Sequence, residues 1–234
     1  GIVEFNNDEL YFQFDDLQNV TGIIPYPSYA ANDMIEEYML FAGMSVASNI
    51  LQDVDPKETA VLLRVNPSPD PDDLKKLKFL MDLTGHSIDG TSQLDMLSLF
   101  KAVEAKYSDN VLKRKAALRM IQRISRRATY EALPSDFDEF NHYGIHAAYY
   151  THFTSPIRRY PDLVVHRILT AKLQGLPSPY TVDEVCDVIN HLNRRLSDSS
   201  RAEEDSRFRI IETYIDAKPF FTDAVVVSIN KGKI

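Results

Sequence analysis

The sequence predicts an α+β fold that is mostly helical. Runs rich in aromatic and β-branched residues, bounded by turn-forming residues, lie near the two ends of the chain. Between them, successive segments repeat their apolar residues at helical spacing. The 234 residues, 44% of them hydrophobic, suffice for one or two buried cores.

Residues 1–27 read as β structure. Ile2-Val3-Glu4-Phe5 and Leu10-Tyr11-Phe12-Gln13-Phe14 flank the turn-prone Asn6-Asn7-Asp8-Glu9, which predicts a hairpin, and Pro25 and Pro27 mark its boundary. Residues 32–52 predict a helix that Asn32 or Asp33 caps, with Met34, Ile35, Tyr38, Met39, Ala42, Val46 and Ile50 on one stripe facing the core. Residues 66–73, with three prolines, form a rigid connector into a helix from about Asp72. Helices are predicted over 93–106, 110–131, 161–174, 181–197 and 198–215. Beyond Pro219 the residues 220–229 are strand-like, and 230–232 carry a turn signal. No internal repeat or low-complexity tract interrupts this order.

The single cysteine, Cys186, excludes an internal disulfide framework and a cysteine-based zinc site, and its apolar neighbours predict core packing. A reducing compartment, cytoplasm or nucleus, is the expectation. No apolar run approaches the roughly 20 residues of a membrane span, and no secretory signal opens the chain. It begins Gly1-Ile2-Val3, which reads as a processed, cloned or cropped start. A net charge of −8 argues against binding nucleic acid with the whole surface. Residues 106–127, however, carry eight basic residues against Asp109 alone. That segment either focuses a polyanion on one face or is a solvated helix face.

The most informative stretch runs from Tyr150 to Arg167. Thr154-Ser155-Pro156 is a poor helix interior and reads as a loop. That loop delivers Arg158 and Arg159 to the mouth of a helix whose first turn suits Pro161 and Asp162. Arginine's planar fork bonds two phosphate oxygens at once and stays charged at any working pH. His152, Arg158, Arg159, His166 and Arg167 thus form a candidate phosphate-binding constellation. The competing reading is an arginine pair bridging carboxylates inside the domain.

The sixteen residues from His152 to Arg167 resemble the signature of the RNB family, shared by RNase II, RNase R and the catalytic subunit of the eukaryotic exosome. Met34-Ile35-Glu36-Glu37-Tyr38-Met39-Leu40-Phe41-Ala42 is similar to the family's glutamate-pair helix. Leu62-Leu63-Arg64-Val65 resembles its Leu-X-Arg-X-His segment, with Asn66 in place of the histidine. His142-Tyr143-Gly144-Ile145 resembles its His-Phe-Gly-Leu. The resemblance implies the C-terminal portion of an RNB domain over 1–216, and over 217–234 the beginning of an OB-fold RNA-binding barrel. It implies hydrolysis of single-stranded RNA from the 3′ end to nucleoside 5′-monophosphates, with Mg²⁺ as cofactor. By the same resemblance Arg158 and Arg159 are catalytic, at the scissile phosphate. Glu36 and Glu37 hold the terminal ribose, and Glu203 lines the RNA path. His152, Thr154, Ser155, Tyr160, His166 and Arg167 make further RNA contacts; for His166 the residues also allow a core contact, and for Glu203 an exposed helix face.

The family's metal-binding aspartate cluster is not in this sequence. Asp70-Pro71-Asp72-Asp73 imitates it but fits a helix N-terminus. The chain alone is therefore expected to be inactive. Its parent is either an exoribonuclease, acting alone or in an exosome-like assembly with the rest of the domain as partner, or a pseudonuclease that binds RNA without cutting it.

Overall fold

The computed structural model describes residues 10–25, 27, 29–52, 60–89, 92–124, 126–133 and 141–226. Strand β1 (Leu10–Phe14) pairs antiparallel with β2 (Val20–Pro25), with a bulge after Gln13. The expected partner of Leu10–Phe14, residues 2–5, lies outside the described residues. The turn between β1 and β2 is built by Asp15, whose Oδ1 accepts the amide hydrogens of Leu17 (3.0 Å) and Asn19 (2.8 Å).

Helix α1 (Ala30–Leu51) starts two residues earlier than the sequence predicts, and Asn32 accepts the Tyr29 amide at 3.1 Å. The predicted core stripe is corrected in its first half. Met34, Ile35 and Tyr38 are exposed, whereas Gly43, Ala47 and Ile50 are buried. Only the C-terminal half of α1 lies on the core; the N-terminal half projects beyond it.

Strand β3 (Val61–Val65) and β4 (Thr129–Leu133) form an antiparallel ribbon in which Val61 opposes Leu133 and Arg64 opposes Tyr130. An isolated ribbon is marginal in water. Here α1, α5 (Tyr160–Leu173) and α6 (Val182–Ala217) pack against it. Val61, Leu62, Leu63, Val65, Val164, Val165, Ile168, Val185 and Ile189 join Ala47 and Ile50 in this first core, and Cys186 packs at its margin. A second core lies among α2 (Leu74–Thr84), α3 (Gln93–Lys106) and α4 (Val111–Ile124), around Leu77, Leu80, Leu99, Val103 and Ile121.

Three further expectations are corrected. The helix predicted over 110–131 ends at Ile124, because Thr129 and Tyr130, good strand formers, pair with the exposed ladder of β3. The two helices predicted over 181–197 and 198–215 are one 36-residue helix, α6. Ser197, Asp198, Ser199 and Ser200 are indifferent helix formers, but no Gly or Pro breaks the chain there. The described part of the predicted strand, residues 220–226, has no regular structure, and Phe220, Phe221, Val225 and Val226 are exposed. A strand needs a partner ladder, and none of the described strands pairs with it.

The helix ends follow local chemistry. Ser92 and Asp95 form a reciprocal cap on α3, as do Thr181 and Glu184 on α6. Lys172 of α5 donates to the carbonyls of Asn49, Ile50 and Gln52 and thus closes the C-terminus of α1. Asn66 stands at the end of β3 as a buried staple. Its Nδ2 donates to Arg126 O at 2.6 Å, and its Oδ1 accepts from the Gly144 amide at 2.8 Å.

Candidate functional site

The free edge of β3 places the signature segment. The Arg64 amide donates to Tyr150 O at 2.7 Å, and the buried Thr151 hydroxyl donates to Leu62 O at 2.8 Å. Helix α1 presses on the same segment through Gly43. A Cβ there would stand 2.4 Å from Tyr150 Cε2 and 2.6 Å from Thr151 O, so only glycine permits this approach. Tyr150, Thr151 and His152 are therefore fixed by a strand on one side and a helix on the other.

Residues 153–159 form the loop that enters α5. The Arg158 and Arg159 amides both donate to Ser155 O, at 3.2 and 3.1 Å, which turns the chain at Pro156. Asp162, fully buried in the first turn of α5, accepts from the Ser155 amide at 2.8 Å and from Arg159 Nη2 at 2.9 Å. The two arginines consequently differ. Arg159 is anchored to a carboxylate with its side chain 22% exposed, while Arg158 is exposed and its guanidinium has no ion pair or hydrogen bond among the described residues. Of the pair, Arg159 bridges a carboxylate inside the domain, and Arg158 is open among the described residues.

His166 Nε2 lies 2.7 Å from Phe153 O, and its ring stacks on Phe153 with centroids 4.4 Å apart. A carbonyl only accepts, so His166 carries its proton on Nε2 and holds the loop backbone. Arg167 donates to the Tyr180 hydroxyl at 2.6 Å and also lies within reach of the Tyr160 hydroxyl. Thr154 and Ser155 are half-buried in the loop, and Tyr160, 49% exposed, opens α5. Glu36 and Glu37 are exposed on the projecting half of α1, and the Glu36 charge is felt at the Tyr150 hydroxyl. Glu203 is exposed on α6, 3.4 Å from Arg207, and lines a cavity of about 340 Å³ with Leu10, Phe12 and Ile210 rather than the loop.

Arg64 enters the site without having been assigned a role from the sequence. Its guanidinium carbon lies 4.6 Å from the centroid of the Tyr130 ring, and its Nη1 is buried without a partner among the described residues. Burial lowers its pKa, with Arg159 adding to the effect. The Tyr130 hydroxyl is 2.7 Å from His152 Nδ1, and the His152 ring meets Tyr130 and Tyr150 edge-on. Burial, together with Arg159, Arg64, His142 and Arg158, holds His152 down at about 3. His142, stacked edge-on against Tyr150, is lowered to about 4, again first by burial. A lone arginine in the apolar run Val61–Val65 was the available signal, since a charge inside a buried strand needs a reason.

Asp70, Asp72 and Asp73, the look-alike of a metal cluster, are occupied otherwise. Asp70 pairs with Arg126 at 3.0 Å, Asp72 with Lys75 at 2.6 Å, and Asp73 with Lys76. Among the described residues no group of three His, Cys, Asp or Glu side chains is placed to hold a metal ion, so these residues do not fit a Mg²⁺ site.

Residues 1–175 match the family model of the RNB domain. The chain belongs to the RNB domain family. The DIS3-like exonuclease 2 of Schizosaccharomyces pombe, an RNB relative, is 32% identical over 226 residues, which cover 92% of this chain and 23% of that protein. The mixed helix and strand architecture resembles solved RNase R. The apo form of Mycoplasma genitalium RNase R superposes with a TM-score of 0.71 at 22% identity, over 88% of this chain and 32% of that one. Yeast Ssd1, described as a pseudonuclease, gives a TM-score of 0.58 at 24% identity over 68% of this chain and 19% of its own. At these identities the two structures speak for the RNB fold alone. The chain spans roughly a quarter of its curated relative's length.

Proposed function

We propose that this chain carries the phosphate-holding side of a 3′→5′ exoribonuclease site that hydrolyses single-stranded RNA to nucleoside 5′-monophosphates. The observation that supports this reading best is the asymmetry of the arginine pair. Asp162 fixes Arg159, and the fixed loop presents Arg158 to solvent with a fork that no described residue fills. A preorganised guanidinium stabilises charge that develops on a phosphoryl group without reorganising at the moment of reaction. On this reading Glu36 and Glu37, on the exposed half of α1, hold the terminal ribose. Residues 1–216 are RNB domain, and 217–234 enter an RNA-binding OB fold. Divalent-metal dependence belongs to the proposal, with ligands that the described residues do not supply.

The test is a denaturing gel of 5′-labelled single-stranded RNA incubated with the protein made from its complete reading frame, with Mg²⁺ and with EDTA. Stepwise 3′ shortening that EDTA abolishes supports the exoribonuclease reading. Intact RNA that still shifts on a native gel replaces it with a pseudonuclease, as yeast Ssd1 is described. RNA neither cut nor shifted removes the phosphate clamp altogether.

A further inference from the structure

His152 and Tyr130 share one short hydrogen bond, and its polarity follows from counting donors. The Tyr130 hydroxyl makes no other hydrogen bond among the described residues. If Nδ1–H donated to it, the tyrosine proton would be left without an acceptor in a largely buried place, which costs more than an idle lone pair. Tyr130 O–H therefore donates and Nδ1 accepts. A neutral imidazole then carries its proton on Nε2. Nε2 makes no hydrogen bond to a described residue and is not among the buried atoms lacking a partner.

The neighbours hold this state. Asn193 of α6 clamps Tyr130 by its backbone, accepting from its amide and donating to its carbonyl, both at 2.9 Å. Arg64 of β3 lies over the Tyr130 face. The charged and titratable groups around His152 are Arg64, Tyr130, His142 and Tyr150, and from the loop Arg158 and Arg159, with Asp162 of α5 behind Arg159. Arg64, Arg158 and Arg159 face it with positive charge, and the one carboxylate of this set is bonded to Arg159. Any second proton on the ring would meet that field.

We propose that the β3–β4 ribbon presents His152 to RNA as a neutral hydrogen-bond donor, with Tyr130 and Arg64 as its positioning residues and a phosphate oxygen beside Arg158 as the acceptor. This rests on reading the loop as a phosphate clamp. It excludes His152 as a general acid or base, since an imidazole held neutral and bonded at Nδ1 neither delivers a proton from the imidazolium nor offers a free basic nitrogen. The assignment is one of hydrogen-bond geometry: a donor at the end of a ring fixed on three sides.

The first test needs no variant. ¹⁵N NMR of the protein labelled at histidine should find the Nε2–H tautomer of His152, neutral throughout pH 5–8. An Nδ1–H tautomer, or a titration midpoint inside that range, overturns the assignment. The second is RNA affinity in EDTA, where nothing is cut. His152→Ala should weaken binding about ten- to a hundredfold, the worth of one hydrogen bond to a charged group. His152→Gln, whose amide nitrogen lies near the position of imidazole Nε2, should recover most of that loss, and His152→Asn should not. Gln as weak as Ala overturns the proposal. Tyr130→Phe should mix the tautomers in the NMR spectrum; an unchanged Nε2–H signal removes Tyr130 as a positioning residue. Failure of the clamp reading is separate: Arg158→Ala would then leave RNA affinity intact whatever the tautomer.

Discussion

Arg64 and Tyr130 stand directly opposite each other in the β3–β4 ladder, with the guanidinium carbon 4.6 Å from the ring centroid. A cross-strand neighbour at this range accounts for how the arginine is tolerated inside an apolar ribbon, because the ring face attracts the cation. It does not account for why a cation is there. Nη1 is buried without a partner among the described residues, and Arg159 is close enough for its charge to be felt. A charge placed in this way is a cost in the free protein that a bound anion relieves.

Arg64→Met should therefore separate stability from binding. It removes the cation–π contact but also an uncompensated partly buried charge, so urea unfolding should shift by less than about 1 kcal/mol. RNA affinity in EDTA should fall about tenfold or more, as for loss of a hydrogen bond to a charged group. A large stability loss with unchanged affinity would make Arg64 purely structural.

The arginine pair should split in the same way. Arg158→Ala, at an exposed side chain, should leave stability within about 0.5 kcal/mol. Arg159→Ala leaves fully buried Asp162 without its cation and should cost about 3 kcal/mol or more. Both, combined in an active enzyme, should lower turnover by more than about tenfold, because preorganised donors at a developing charge act chiefly on kcat. A double variant within tenfold of wild type would sink the clamp.

Much of this was legible in the sequence, and the gaps have physical causes. The loop and α5 are readable because Pro156, Pro161 and the paired arginines are local signals, and α3 because its apolar residues recur at helical spacing. β3 and β4 were not, since their pairing joins residues far apart in the chain and their apolar runs carry no strict alternation. The α1 stripe was misread because helical periodicity locates an apolar face but not what covers it; Met34, Ile35 and Tyr38 remain exposed. The role of Arg64 is hidden for the same reason, since helical spacing through residues 110–131 places its partner Tyr130 on a helix.

Gly43→Ala should disturb the site from behind. The new methyl group would meet Tyr150 Cε2 at 2.4 Å and Thr151 O at 2.6 Å, and the second is backbone that β3 holds. Overpacking of this kind costs about 1–3 kcal/mol. Thermal unfolding should fall accordingly, and the ¹⁵N signals of His152 should shift, since Tyr150 and Thr151 lead directly into it. An unperturbed His152 spectrum would show that the helix does not position the loop.

Acid should destabilise the fold through two half-buried histidines. His142 and His152 have pKa values lowered to about 4 and about 3, below the ordinary 6.5. Between those values the unfolded chain binds protons that the folded one refuses, so stability is full above pH 6.5 and declines as pH falls toward 3. The limiting slope is about 1.4 kcal/mol per pH unit for each histidine. Urea midpoints from pH 8 to 4 should trace this decline, and His142→Gln together with His152→Gln should flatten it. A double variant as acid-sensitive as the wild type would place the effect elsewhere.

Salt should discriminate the open arginine from those already neutralised. Removing one arginine–phosphate ion pair should reduce the slope of log affinity against log salt by about 0.7 for a single strand. Arg158→Gln should show that reduction. Arg126, paired with Asp70 at 3.0 Å, and Arg127, paired with Glu204 at 3.1 Å, belong to the basic 106–127 segment but have carboxylates of their own. Replacing either by glutamine should leave the slope unchanged. RNA binding measured in EDTA from low to moderate salt decides it. A flat response in the wild type would mean that neither the segment nor the arginine pair touches phosphate.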